Sequence, residues 1–155
     1  MLDIKKILLP TDFSDFSRIA LPYAIDLAVK FDADIYIMHV FDENSLNPYY
    51  FAKQDEPDTW FLKIQENFQS MVDDFLEDID TGEINIIPVL SNGTPFVEVT
   101  GYAKREKIDL IVLSSHGHGG AMQSTIGGTT GHIVSRAACP VLTVRTPESL
   151  GKQAL

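Results

Sequence analysis

The chain has 155 residues, 45% of them hydrophobic, which suits one globular domain with a real core. Its formal net charge of −10 disfavours nucleic acid and anionic membranes as partners, because both are bound largely through Lys and Arg. No apolar run reaches the roughly 18–20 residues of a membrane span, and the first residues show no signal-peptide pattern. With one unpaired cysteine, Cys139, these features predict a cytoplasmic protein.

Short apolar runs alternate with segments of helical periodicity along the chain. We predict β-strands at 6–10, 33–40, 84–90, 109–113 and 140–144. We predict helices from a cap at Ser14 or Asp15 to Phe31, from Trp60 to Ile79, from near Thr94 or Asn92 to Ala103 and from about Thr129 to Ala137. We expect one domain over residues 1–146, followed by a tail over 147–155.

This alternation predicts a doubly wound α/β fold, with a five-stranded parallel sheet and helices on both faces. The strand orders 2-1-3-4-5 and 3-2-1-4-5 both suit five strands. Pro88 lacks the N–H that a central strand would donate, so its strand fits an edge and favours 3-2-1-4-5. In that order strands 1 and 4 are neighbours whose connections leave in opposite directions. Ligands bind beyond the carboxyl ends of such strands.

The segment from Ser114 to Gly131, which we call the glycine loop, holds six of the ten glycines and follows the fourth strand. Glycine allows close approach by a ligand, and a helix N-terminus attracts anions. Because the loop has no Lys or Arg, a phosphate there would depend on backbone N–H groups, hydroxyls, the helix dipole and a divalent cation. Neither a Walker A motif nor a Rossmann fingerprint is present. The alternative is a surface loop whose glycines only shape turns.

Asp12 follows the first strand, at the edge where the glycine loop is expected. It can cap the first helix, accept hydrogen bonds from a base or ribose, or hold a metal, and its position favours binding. His116 and His118 are poorly spaced for a metal site, so His116 is expected to shape the backbone or face a phosphate. His39 alternates with strand neighbours, which predicts a hydrogen-bonded core histidine.

Catalysis has little support in the sequence. There is no G-x-S-x-G elbow and no recognisable triad, so we predict no catalytic residue. Tyr49–Phe51 fits either a lid over an aromatic base or packing on its own domain. Cys139, beside Pro140, fits a buried small residue better than a reactive thiol.

Taken together, these segments resemble the universal stress protein family over essentially the whole chain. The resemblance is carried by Ile7–Ser14, Ile37–Val40, Gly93–Pro95 with Glu98, Asp109–Gly117, Gly127 and Cys139–Val144. It implies an adenine nucleotide alpha hydrolase-like fold and a homodimeric stress-response protein that binds ATP or another adenine nucleotide.

The family's nucleotide-binding members carry the motif G-x2-G-x9-G-(S/T). This chain reads Ser114-x2-Gly117-x9-Gly127-Gly128, which keeps the second and third glycines at the right spacing. Ser114 replaces the first glycine, and Gly128 replaces the final hydroxyl residue. Thr129 and Thr130 follow immediately and can supply that hydroxyl.

The resemblance implies a nucleotide site at the strand 1 and strand 4 edge. Its residues are Pro10, Thr11, Asp12, Val40, Ser114, His116, Gly117, Gly127, Gly128, Thr129 and Thr130. Asp12 and Val40 would contact the adenine or ribose side. The glycines and Thr129 would contact phosphate, with Mg²⁺.

The resemblance further implies that the last strand pairs with its twin across a dimer interface, through Val141, Leu142, Thr143 and Val144. Burial in a dimer would also protect an exposed apolar edge strand from aggregation. Two other functions stay open. One is a dimeric interaction module that binds no nucleotide. The other is an adenine-nucleotide-dependent enzyme such as an adenylating ligase, which would need a glycine-rich loop where this chain has Thr11–Ser14.

Overall fold

The computed structural model describes residues 1–44, 57–117, 126–145 and 147. Within these ranges the strands are β1 (Lys6–Pro10), β2 (Asp34–Phe41), β3 (Ile86–Asn92), β4 (Leu110–Ser114) and β5 (Val141–Val144). The helices are α1 (Asp15–Arg18), α2 (Leu21–Phe31), α3 (Pro57–Phe75), α4 (Pro95–Arg105) and α5 (Gly128–Arg136). None of these described helices is long and apolar enough to cross a membrane.

The five strands form one sheet of order β3-β2-β1-β4-β5, and all pairs are parallel. β1 lies at the centre, where Ile7 is in register with Ile35 of β2 and Leu110 of β4. Pro88 lies in β3 at one edge, opposite Ile37. The predicted strand order 3-2-1-4-5 is therefore confirmed.

A single helix from residue 14 or 15 to Phe31 was the wrong prediction. The chain forms α1, which ends at Arg18, and then α2, which begins at Leu21. Pro22 accounts for the break, because it has no N–H to donate to the Arg18 carbonyl and its ring would clash there in a continuous helix. Ser14 caps α1, as predicted, and its Oγ accepts a hydrogen bond from the Ser17 N–H at 3.1 Å.

The long helix α3 also ends earlier than predicted, at Phe75 rather than Ile79. Arg18 donates to the carbonyl oxygens of Phe75, at 3.0 Å, and Glu77, which satisfies groups that a longer helix would use internally. Asp78 then adopts φ 63°, a left-handed conformation that turns the chain toward β3.

The sheet separates two hydrophobic cores. On one face, Ile7, Leu9 and Ile35 pack with α2 and α3; on the other, Leu8 and Ile111 pack with α4 and α5. Each fully buried Leu or Ile contributes about 1.5–3 kcal/mol relative to an exposed one. Because helices cover both faces, the carboxyl ends of the strands are left as the open edge of the sheet.

Candidate functional site

A crevice of about 530 Å³ opens at the carboxyl ends of β1 and β4. β1 leads to α1 and α2 on one face, whereas β4 leads to α5 on the other, so the crevice lies where the winding of the sheet reverses. Its volume falls within the roughly 300–1,000 Å³ that is common for ligand pockets. This is the edge at which the sequence predicts a site.

All eleven residues predicted for the nucleotide site line this crevice. They are Pro10, Thr11, Asp12, Val40, Ser114, His116, Gly117, Gly127, Gly128, Thr129 and Thr130. The fold thus brings together residues that are more than 100 positions apart in the chain. Nucleotide binding by them stays a prediction.

Asp12 is held by a tight turn between β1 and α1. Its Oδ1 accepts hydrogen bonds from the Ser14 N–H, at 3.0 Å, and from the Ser14 hydroxyl. Phe13 adopts φ 61°, which is rare for a bulky residue, and its N–H donates to Thr11 Oγ1 at 2.9 Å. Asp12 therefore does not cap the helix itself; it positions Ser14, which does.

The second carboxylate oxygen of Asp12, Oδ2, faces the glycine loop. A Cβ built on Gly117 would lie 2.5 Å from Asp12 Oδ2, closer than ordinary Cβ contacts. A larger residue at position 117 would therefore have to displace the Asp12 carboxylate. The two sides of the crevice meet at this contact.

The two described ends of the glycine loop are tied to each other by hydrogen bonds. The Gly127 N–H donates to the Ser115 carbonyl at 2.7 Å, and Thr130 Oγ1 donates to the Ser114 carbonyl at 2.9 Å. Ser114 is buried, and its hydroxyl donates to the His116 carbonyl. The serine that replaces the motif glycine is thus satisfied within the loop itself.

The start of α5 is the open part of the crevice. Gly127 is the N-cap and brings no capping side chain, and a Cβ on Gly128 would meet nothing within 4 Å. Thr129 is exposed, whereas Thr130 is buried with its hydroxyl already used. Of the two threonines, Thr129 is better placed to supply the hydroxyl that Gly128 lacks. Backbone N–H groups of a helix's first turn have no partner within the helix, so they suit an anion.

His39 is a core histidine, as predicted, although it also borders the crevice. It is 1% exposed, and its Nδ1 lies 2.8 Å from the Thr11 carbonyl oxygen, to which it donates. Burial lowers the pKa of His39 below its ordinary value, outweighing the opposing effects of that bond and of the Asp12 charge. Neutral His39 therefore holds the Thr11 backbone in place from within the core.

Sequence reasoning missed the side of the crevice formed by α4 and by the lower part of α5. The additional lining residues on this side include Thr94, Pro95, Phe96, Val99, His132 and Ile133. Asp42, which directly follows β2, also lines the crevice and was not predicted. The Phe96 and His132 rings lie 4.6 Å apart between centroids. The signal available was positional: α4 starts just after β3 ends, at the same edge of the sheet.

The described residues offer little for a resident metal ion. No group of three His, Cys, Asp or Glu side chains among them is arranged to hold one. Asp12 and Asp42 are the carboxylates that line the crevice in the described ranges. A Mg²⁺ ion would fit here as the partner of bound phosphates, with few protein ligands, which is its usual habit.

Several predicted features lie outside the described residues. They are the Tyr49–Phe51 lid, His118, Gly119 and Gly120. Cys139 is half-buried, and burial raises the pKa of its thiol above the ordinary value, which disfavours the reactive thiolate.

The fold and the crevice define the class: a doubly wound α/β protein with a crevice at its topological switch point. A model of the universal stress protein family matches residues 3–145, and the chain belongs to this family. It is 31% identical over 147 residues to a universal stress protein of Methanocaldococcus jannaschii, an alignment that covers 93% of this chain and 84% of that one.

Solved structures of the family share the fold. Universal stress protein UspA from Lactobacillus plantarum has a TM-score of 0.73 at 26% identity, covering 94% of this chain and 100% of its own. A universal stress protein in complex with cAMP has a TM-score of 0.66 at 20% identity, with coverage of 94% and 100%. An Arabidopsis thaliana family member with AMP bound has a TM-score of 0.55 at 16% identity, with 94% coverage of each chain. The last two similarities show the fold alone.

Proposed function

We propose that this protein binds an adenine nucleotide, ATP or a relative of it, and acts as a stress-response sensor. The observation that carries the proposal is the open start of α5, where Gly128 leaves room for a ligand to approach the first-turn N–H groups. Phosphate lies on Gly127–Thr129 and Gly117. Asp12 and Val40, at the ends of β1 and β2, accompany the adenine or ribose.

The ligand class is supported by the family's structures. One relative was solved with cAMP and another with AMP, and both share this chain's fold. The common part of these two ligands is adenosine with one phosphate group. An adenine nucleotide is therefore the first ligand to test.

The proposed activity is binding of the nucleotide and not its hydrolysis. Phosphoryl transfer requires a group that orients the attacking water and cations that neutralise developing charge. Neither Lys nor Arg occurs among the described residues that line the crevice. Any hydrolysis of ATP is then slow, and Mg²⁺ arrives with the phosphates.

The protein works as a cytoplasmic homodimer that forms through β5. This strand is at the edge of the sheet and pairs with β4 on one side. Leu142, in its middle, is 37% exposed, so a second copy would cover apolar surface and pair the free edge of the strand. The single unpaired cysteine suits a reducing compartment.

The second candidate is a dimeric interaction module that binds no nucleotide. The departures at Ser114 and Gly128 from the nucleotide-binding motif favour it. Mass spectrometry under native conditions separates the two functions, since co-purified AMP or ATP contradicts this alternative.

Calorimetry tests the main proposal. AMP, and ATP with Mg²⁺, are expected to bind the wild-type protein, and Gly128→Asp is expected to weaken binding strongly because it places a negative charge at the first turn of α5, where phosphate is proposed to lie. Gly101→Asp is the matched control: Gly101 is exposed within α4, and its Cβ would also meet nothing within 4 Å. No heat at millimolar nucleotide, or equal loss in both variants, would contradict the proposal.

A further inference from the structure

We infer that the crevice prefers adenine nucleotides with one phosphate group to metal-free triphosphates. The inference rests on the proposed nucleotide site and concerns the charges that surround it. Two carboxylates, Asp12 and Asp42, line the crevice, and the described lining residues include no Lys or Arg to balance them. Each further phosphate therefore adds negative charge to a site that already carries it.

Asp12, on the proposed adenine or ribose side, reaches one residue of the proposed phosphate cradle, Gly117. Its Oδ2 would be 2.5 Å from a Cβ on Gly117, a residue of the proposed phosphate cradle. The two hydrogen bonds from Ser14 to Oδ1 fix the carboxylate in place. A bound polyphosphate can displace the Asp12 carboxylate only if the hydrogen bonds of the turn before α1 break.

The positive potential available at the cradle is limited. The N-terminus of a nine-residue helix such as α5 is equivalent to about half an elementary charge. The glycine loop has no Lys or Arg at any position from 114 to 131. One phosphate group can be accommodated at this helix end, but a second and a third find no further cation in the loop.

Arg136 comes near the crevice but is not part of its lining. Its Nη1 donates to His132 Nδ1 at 2.8 Å, and its guanidinium carbon lies 5.0 Å from the Phe96 ring centroid. The acceptor in this bond is His132 Nδ1, because a guanidinium can only donate. The Arg136 guanidinium is thus engaged with the rings of two lining residues, Phe96 and His132, and is not itself among the described residues that line the crevice.

The expected consequence is a dependence on metal that differs between nucleotides. In EDTA, ATP carries about two more negative charges than AMP, and both carboxylates repel them. We expect metal-free ATP to bind at least about tenfold more weakly than AMP, which corresponds to about 1.4 kcal/mol. Mg²⁺ neutralises phosphate charge on ATP, so it should reduce the difference in affinity between AMP and ATP. The affinity for AMP itself should change little.

Calorimetric titration of the full chain with AMP and ATP, each in EDTA and in Mg²⁺ at one ionic strength, tests this preference. Tighter binding of AMP than of metal-free ATP supports the inference. Metal-free ATP binding as tightly as AMP overturns it and leaves the proposed function standing. If neither nucleotide binds under any condition, the proposed function itself fails.

Charge-neutral variants test the role of the two carboxylates. In Asp42→Asn and Asp12→Asn, the affinity ratio of AMP to metal-free ATP is expected to fall by roughly threefold, whatever happens to affinity overall. Asp26→Asn is the matched control, because Asp26 is exposed on α2, outside the crevice, and its change alters net charge equally. If the control moves the ratio as much as the crevice variants do, net charge sets the preference and the inference is wrong.

Discussion

The carboxylate of Asp12 lies so close to the backbone of Gly117 that a side chain at residue 117 would overlap it. A Cβ at residue 117 would lie 2.5 Å from Asp12 Oδ2 and 3.3 Å from its carboxyl carbon. These residues follow β1 and β4, the two neighbouring strands between which the winding reverses. The width of the crevice is therefore set at this point, and it connects the fold to the proposed binding site.

Gly117→Ala should perturb both the crevice and the fold. The new methyl group must displace Asp12 Oδ2, which strains the hydrogen bonds that Oδ1 of the same carboxylate accepts from Ser14 at the start of α1. We expect a loss of about 1–3 kcal/mol in the free energy of unfolding and at least tenfold weaker AMP binding. Urea denaturation and calorimetry measure the two effects.

Gly101→Ala is the control for that substitution. It lies within α4 with open space around its Cβ, and alanine is up to about 1 kcal/mol better than glycine inside a helix. Unchanged AMP binding with equal or greater stability is expected. A Gly117→Ala variant that is as stable and binds as well as this control would refute the proposed contact.

Gly128→Ser should strengthen nucleotide binding. Serine at this position completes the hydroxyl end of the family motif, and its Cβ meets no atom within 4 Å. One new hydrogen bond to phosphate is worth about 0.5–1.5 kcal/mol, or roughly a two- to tenfold lower Kd for AMP. Gly127 is a poorer place for such a test, because its Cβ would lie 3.2 Å from the Ser115 carbonyl oxygen.

Ser114→Gly provides the contrast, since it restores the other missing motif residue. The Ser114 hydroxyl donates to the His116 carbonyl in a buried setting, so its removal should cost stability without improving affinity. If Ser114→Gly binds AMP more tightly than wild type and Gly128→Ser does not, then Ser114 is the departure from the motif that weakens binding, and the prediction for the two positions is wrong.

Stability should fall in weak acid because of His39. Burial lowers its pKa in the folded state, so between that value and about 6.5 the unfolded chain binds a proton that the folded chain does not. The free energy of unfolding then decreases as pH falls below about 6.5, by up to about 1.4 kcal/mol per pH unit. His39→Gln, which keeps a donor for the Thr11 carbonyl, should flatten this slope in urea denaturation between pH 5 and 7.5. An identical slope in both proteins would rule out His39 as its source.

Leu142→Arg should prevent dimerisation through β5. Leu142 is 37% exposed at the middle of the edge strand, and two arginines would face each other in an antiparallel pair of twins. Sedimentation should show a dimer for wild type and a monomer for the variant. Val134→Arg is a suitable control, since Val134 is exposed on α5 instead. A wild-type monomer at all concentrations would contradict the proposed assembly.

Much of the fold was predictable because its signals are local. Apolar runs and helical periodicity located all five strands and the helices of the described chain except for the division between α1 and α2, and Pro88 alone distinguished between two strand orders. The break between α1 and α2 was missed although Pro22 signals it, because the apolar spacing continues through the break. Periodicity reports which face is buried and does not report whether the backbone stays helical.

The candidate site divides in the same way. Asp12 and the glycine loop were predictable because the strand order places both at one edge. The Phe96 and His132 pair was not, since it depends on how α4 packs beside α5, and no local pattern encodes that contact. The fit of Gly117 against Asp12 likewise required coordinates, although the glycine itself was identified from the motif spacing.

The most direct test of the account is a ¹⁵N NMR titration of the wild-type protein with AMP. If AMP binds in the crevice, the backbone amides of Gly117, Gly128 and Thr129, which line it, will show concentration-dependent shifts. The amide of Gly82, which precedes β3 and so lies toward the amino-terminal ends of the strands, should not respond. Absence of shifts at millimolar AMP and millimolar Mg²⁺–ATP, or shifts confined to residues outside the crevice, would contradict nucleotide binding at the proposed site.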